Sequence, residues 1–163
     1  MRSKTDARKR GCARLRAPFN ADVKLRANGI MDRSLSDNCI YTIADAKGLA
    51  KAAIGGGAVS FAEKKAWVTG FSLWQAAAAA HLQMPVLFAD ATDCSRLLYW
   101  GLLEKIQIER DGTKYSVDRI RKLKGSHRPQ ELVLRSTRKT IAPGFIRPYA
   151  ICVTPTFLEA SAA

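Results

Sequence analysis

Two apolar runs stand out along the chain: Val86-Leu87-Phe88-Ala89 and Leu97-Leu98-Tyr99-Trp100-Gly101-Leu102-Leu103. The polar stretch Asp90-Ala91-Thr92-Asp93-Cys94-Ser95 separates them. The first run is short and bounded by Pro85 and Asp90, which predicts a buried strand. The second continues into Glu104-Lys105-Ile106-Gln107-Ile108-Glu109, where apolar and polar residues alternate. Alternation sets Ile106 and Ile108 on one face and Lys105, Gln107 and Glu109 on the other, as in a half-buried strand. The two runs therefore predict an antiparallel hairpin at the centre of a small, mostly β core. Gly101 interrupts the second strand and marks a bulge or a close backbone approach. Tyr99 and Trp100 fall on opposite faces, so one is expected to be buried and the other half exposed.

The flanking pattern supplies the other elements. Cys39-Ile40-Tyr41-Thr42-Ile43 is β-branched and aromatic and predicts a first strand. Asp45 can cap a helix running to about Ile54, which Gly55-Gly56-Gly57 ends. That glycine run follows a helix and lacks the Lys-Ser/Thr of a phosphate loop, so it is not read as one. Ala66 to Thr69 predicts a short strand closed by Gly70. Ser72 is placed to cap an alanine-rich helix from Leu73 to about Gln83, which Pro85 stops by Met84. Asp111-Gly112 is a tight-turn signal, with a return strand at Lys114–Val117. Arg119 to Lys124 is strand or irregular, and Gly125, Ser126 and Pro129 mark a loop. Further strands are expected at Glu131–Arg135 and Tyr149–Thr154, with a turn at Ile141–Arg147 between them. The fold class this predicts is α+β: a small mixed barrel of about six to seven strands with two or more short helices, closed because many short strands otherwise leave open edges.

Charge divides the chain. Met1 to Arg33 carries ten Lys or Arg against three Asp or Glu, Ser34 to Thr113 seven against eight, and Lys114 to Ala163 ten against three. The totals of 27 and 14 give a net charge of +13, concentrated at the two ends. Such an asymmetry suggests an anionic partner, nucleic acid first among them, or a solvated face with no partner. Met1 to Arg33 shows no sustained helix or strand period and contains Pro18 and Gly29. It is expected to be a flexible basic arm ahead of a domain spanning residues 34–163, with Met31 a plausible alternative start. No apolar run approaches the roughly 20 residues that span a membrane, and no apolar segment follows the basic N-terminus as in a secretory signal. A cytoplasmic protein with no membrane partner is expected. Cys12, Cys39, Cys94 and Cys152 form no C-x-x-C pair and only His81 and His127 accompany them. No metal site and no disulfide is expected from that set, and no cofactor.

At this level the chain resembles the PUA-like superfamily, most nearly the EVE domain, a relative of the YTH and ASCH domains. The resemblance rests on the strand at Cys39–Ile43, the helix at Asp45–Ile54, Trp67, Gly70-Phe71, Val86-Leu87-Phe88 and Trp100-Gly101-Leu102, and spans roughly Asn38 to Leu158. Two stretches depart from it: Leu73-Trp74-Gln75 with its alanines replaces a basic, Asn-containing segment, and Gln83-Met84-Pro85 replaces a glycine-acid turn. The resemblance implies a pocket for a nucleobase, often a modified one, lined by aromatic residues.

The residues themselves offer a compatible chemistry. An unstacked base can lie on an aromatic face, each stack contributing about 1–3 kcal/mol. Trp67, Phe71 and Trp74 cluster around Gly70, which lets a backbone approach a ligand closely. Thr69 and Ser72 can bond a base edge, Asp90 can accept from an exocyclic amine, and Trp100 is grouped with them. The same aromatics also suit the core of a small barrel, and the sequence leaves both readings open. Arg119, Arg121, Arg135, Arg138, Lys139 and Arg147 are the candidate phosphate contacts. No Ser-His-Asp order or G-x-S-x-G motif occurs, Cys94 has no histidine near it, and no catalytic residue is assigned. The expected function is nucleic-acid binding, to DNA or RNA. A small ASCH-like hydrolase acting on a nucleoside or nucleic acid, or a non-catalytic interaction module, is the alternative.

Overall fold

The computed structural model describes residues 34–145, 147 and 149–162, within one unit of the chain, Arg33–Ala163. The expected basic arm, Met1 to Arg33, lies outside the described residues. Strand β1 (Asn38–Ala44) leads into helix α1 (Ala46–Gly55), β2 (Val59–Glu63), helix α2 (Val68–Ala79), β3 (Pro85–Asp90), β4 (Leu97–Glu109) and β5 (Gly112–His127). A single 3-10 turn (Pro129–Glu131), strand β6 (Tyr149–Val153) and helix α3 (Thr156–Ala162) complete the order. The six strands form one mixed sheet in the order β2-β5-β4-β3-β1-β6. β1 and β3 run parallel; all other neighbours are antiparallel.

The hairpin read from the two apolar runs is the pair β3–β4, and the Asp111-Gly112 turn returns the chain into the long β5. Asp45 caps α1, its Oδ2 accepting from Gly48 N at 2.8 Å, which satisfies one free N–H of the first turn. β3 lies at the sheet's middle, and Pro85 to Ala89 are all buried, as an unbroken apolar run requires. Alternation then divides the core between two faces. Ile40, Val86, Phe88, Leu103, Val117 and Ile120 face α1 and α2, where Leu49, Ala52 and Trp67 meet them. Cys39, Tyr41, Leu87, Ala89, Trp100, Leu102 and Cys152 face the other way, under Leu132, Ile141 and Leu158 of the C-terminal segment.

Bulges keep the long strand β4 in step with both layers. Its register with β5 shifts between Leu97 and Tyr99, between Trp100 and Leu102, and between Leu103 and Lys105. Odd-numbered Leu97 and even-numbered Trp100 therefore share one face, and Leu103 and Ile106 share the other. Gly101 sits at the middle shift. A Cβ there would lie 2.6 Å from Val117 Cγ1 and 2.9 Å from Asp118 O, so the close approach of β5 requires glycine.

The expected closed barrel is not what forms: the sheet is open, and its end strands β2 and β6 do not pair with each other. Its edges are blunted by other means. β2 is only five residues long. Residues 133–135 run along the outer edge of β6, with Val153 N donating to Val133 O at 2.8 Å and Arg135 N to Ile151 O at 3.0 Å. The expected strand at Glu131–Arg135 reduces to this edge contact, since Glu131 belongs to the 3-10 turn. Ala66 to Thr69 is not a strand. β2 precedes it at Val59–Glu63, and α2 begins at Val68. Nor does Ser72 cap the helix, because it already lies inside it. The start of α2 is instead tied down by Thr113, whose Oγ1 accepts from Trp67 N at 2.8 Å and donates to Lys65 O at 2.7 Å.

Candidate functional site

The aromatic group around Gly70 is drawn into packing. Trp67 is 1% exposed, stacked on Tyr149 at 4.4 Å between ring centroids and tilted against Tyr115 at 4.5 Å. Gly70 does admit a close approach, but the group that arrives is the Tyr149 hydroxyl, which accepts from Gly70 N at 2.9 Å. A Cβ on Gly70 would lie 2.7 Å from that oxygen. Burial pushes the Tyr149 phenol above its ordinary value. Phe71 and Trp74 are half-buried, their rings 6.3 Å apart, while Thr69 and Ser72 are exposed on α2.

Two further members of the expected base pocket lie elsewhere. Asp90 closes β3 beside Ala44 of β1, and its carboxylate accepts from Thr92 N and Thr92 Oγ1 at 3.1 and 2.9 Å. Gly70 faces Ile40, four residues back along β1, or about 13 Å at the rise of a strand. Trp100 is fully buried on the opposite face of the sheet, with the Arg121 guanidinium carbon 4.2 Å from its ring centroid. The structure thus gathers Trp67, Gly70 and Phe71 without an open aromatic face at Trp67, and does not bring Asp90 or Trp100 to them.

The candidate phosphate contacts separate as well. Arg119 has φ 53° at the β5 bulge and pairs with Asp118, Nε to Oδ2 at 3.7 Å. Arg121 covers Trp100, and Arg147 is exposed. Arg135, Arg138 and Lys139 share one closed turn. Leu134 N donates to Lys139 O at 2.8 Å, Arg138 N to Leu134 O at 2.9 Å, and Lys139 N to Thr137 Oγ1 at 3.4 Å. Arg138 holds φ 58°, a left-handed conformation that costs a non-glycine residue energy and recurs where a side chain must be aimed.

Arg135 and Arg138 line a cleft of about 460 Å³ with Ser36, Asp37, Asn38, Thr154 and Glu159. Its floor is fixed by hydrogen bonds: Ser36 Oγ to Asn38 O and Thr154 Oγ1 to Ser36 O, both 2.6 Å, and Thr154 N to Asp37 O at 2.9 Å. Neither guanidinium lies within 4.0 Å of a carboxylate among the described residues. Two forked cations facing a rigid polar wall suit a phosphate, and Asp37 and Glu159 add acceptors for hydroxyl or amine donors. A smaller cavity of about 210 Å³ lies between α2 and β4–β5 and includes Trp74, Gln83, Glu104 and Asp118. Sequence reasoning reached Arg135, Arg138 and Trp74 but missed Ser36, Asp37, Thr154, Gln83, Glu104 and Asp118. These converge only through strand pairing, and only the polar position of Glu104 in the β4 alternation hinted at its exposure.

Among the described residues no group of three or more His, Cys, Asp or Glu is placed to hold a metal ion. None of their helices is long and apolar enough to cross a membrane. Compared with protein-family models and with curated protein sequences, the chain finds no match in either. Fold and cleft together define an α+β domain with a mixed six-stranded sheet and an arginine-lined polar cleft at its β6 edge.

Proposed function

We propose that this domain binds nucleic acid, with backbone phosphates held by Arg135 and Arg138. The observation that carries the reading is the cleft itself: two guanidiniums on one closed turn, facing bonded polar groups, without a carboxylate neutralising either by contact. A nucleotide carries both an anionic phosphate and donor hydroxyls or amines, and so matches the mixed lining of arginine and acid. The excess of ten basic over three acidic residues from Lys114 onward supplies the longer-range attraction. A PUA-like frame is part of the same proposal. It is supported by the order β1, α1, glycine loop, β2, Trp67 at the head of α2, β3, then a long β4 bearing Trp100-Gly101, although the sheet is open. Charge reversal at both Arg135 and Arg138 is expected to weaken binding to oligonucleotides of every sequence alike, because phosphate contacts carry no base information. Undiminished affinity in that variant refutes the reading.

A further inference from the structure

We propose that the cavity between α2 and β4–β5 is a base site, and that the base it takes is guanine; this rests on the nucleic-acid reading above. At about 210 Å³ it is smaller than the 300–1,000 Å³ sites of drug-sized ligands and suits one planar ring system. Half-buried Trp74 supplies an aromatic wall, and buried Met84 and Leu103 an apolar floor. The polar groups at the cavity are Gln83, Glu104 and Asp118. Glu104 accepts from Ser116 Oγ at 3.2 Å and Asp118 pairs with Arg119 at 3.7 Å, which leaves each carboxylate further accepting capacity.

Carboxylates are acceptor-only, so they select a base edge rich in donors. Guanine presents two adjacent donors, N1–H and the N2 amine, which one carboxylate can accept together, and its O6 is left for the Gln83 amide. Adenine and cytosine each set a ring-nitrogen acceptor beside their single amine, and thymine and uracil flank one N–H with two carbonyls. Each of these arrangements turns a lone pair toward a carboxylate.

One lining residue of the cavity is bridged to one of the arginine cleft. Ser36 N donates to Gln83 O at 2.8 Å and Gln83 N to Ser34 O at 3.0 Å, the parallel bridge of Leu35 with Gln83. Ser36 lines the cleft and Gln83 the cavity. Arg135 flanks β6 and the cavity borders β4, three strand spacings or about 14 Å away across the sheet, a span that a single strand of a few nucleotides covers.

The test measures affinity of the full chain for short oligothymidylates carrying one central guanosine, inosine, adenosine or thymidine. Guanosine is expected to bind about fivefold to a hundredfold tighter than thymidine, and inosine, which lacks the N2 amine, to lose most of that gain. The preference, read as the ratio of guanosine to thymidine affinity within each protein, should vanish in the isosteric double variant Glu104→Gln/Asp118→Asn, and Trp74→Ala should weaken binding of every oligonucleotide through the lost stack. If Trp74→Ala fails to fold, the isosteric variant decides. Equal affinities for all four oligonucleotides, or a guanosine preference that survives the isosteric variant, overturns the base site and leaves the phosphate reading standing. Absence of binding to any oligonucleotide removes both.

Discussion

On the face covered by α1 and α2, aromatic rings hold the sheet: Trp67 packs on Tyr149 and Tyr115, and Phe61 lies between Phe88 and Tyr115 at 5.4 and 5.1 Å. On the opposite face the cover is the segment from Pro129 to Phe145 with α3, contributing Leu132, Ile141 and Leu158. That second cover is irregular, and it is the one that carries Arg135, Arg138 and Lys139 into solvent. A helix layer can bury aromatic bulk along a continuous stripe. A looped layer buries its residues less continuously, here Leu132, Ile141 and Leu158 with Phe145 and Phe157 partly buried beside them, and leaves its turns free to aim charged side chains. The helical face thus gathers most of the stacked rings, while the proposed phosphate contacts sit on the rim of the looped one.

The largest effect should come from the aromatic face. Trp67→Ala is expected to destabilise the domain by about 3–5 kcal/mol, as for a large core side chain, with the surviving folded fraction binding oligonucleotide normally. Equilibrium unfolding and affinity measured in parallel decide it. A variant that stays as stable as the parent but loses binding would make Trp67 a ligand wall and reverse the comparison. Next is Gly101→Ala, whose methyl would strike Val117 and the Asp118 carbonyl. Overpacking of this kind costs about 1–3 kcal/mol, and an unchanged midpoint in denaturant would show that β4 and β5 are less tightly apposed than described.

A smaller effect distinguishes how tightly the looped face is sealed. Cys39 and Cys152 stand opposite each other across β1 and β6, both buried as thiols, while Cys94 is exposed. Burial pushes Cys152 up to about 12 and Cys39 well above its ordinary value, so both remain protonated and unreactive near neutral pH. Among the three described cysteines, alkylation followed by peptide mapping should modify Cys94 first and reach Cys39 and Cys152 only on unfolding. Labelling of either buried thiol at the rate of Cys94 would show that the looped cover opens readily.

Much of this fold was legible as alternation. The β3–β4 hairpin, the Asp45 cap and the Asp111-Gly112 turn each follow from residues adjacent in sequence. β2 leaves a weak trace because Val-Ser-Phe-Ala-Glu is only five residues long and follows the run Gly55-Gly56-Gly57. The start of α2 is not legible locally because its anchor, Thr113, is 46 residues away from Trp67. Closure into a barrel was inferred from strand number, yet the β6 edge is covered by residues 133–135, whose pairing leaves little trace in the pattern. For the site, clustering of aromatics in sequence pointed to Trp67, Gly70 and Phe71, but proximity to Tyr115 and Tyr149 in space turned them toward the core. Arg135 and Arg138 were found because they share a turn; their polar partners come from Ser36, Asp37 and Thr154, brought in by β1 and β6.

The most direct test is the salt dependence of affinity for a single-stranded oligonucleotide, comparing the parent chain with Arg135→Glu/Arg138→Glu. Phosphate binding predicts a log–log slope of about −0.7 for each phosphate contacted on a single strand. It also predicts a slope shallower by about 1.4 in the variant, two contacts having been lost, with its fold unchanged in thermal unfolding. A parent affinity that is flat with salt, or a slope untouched by the double charge reversal, would contradict the account.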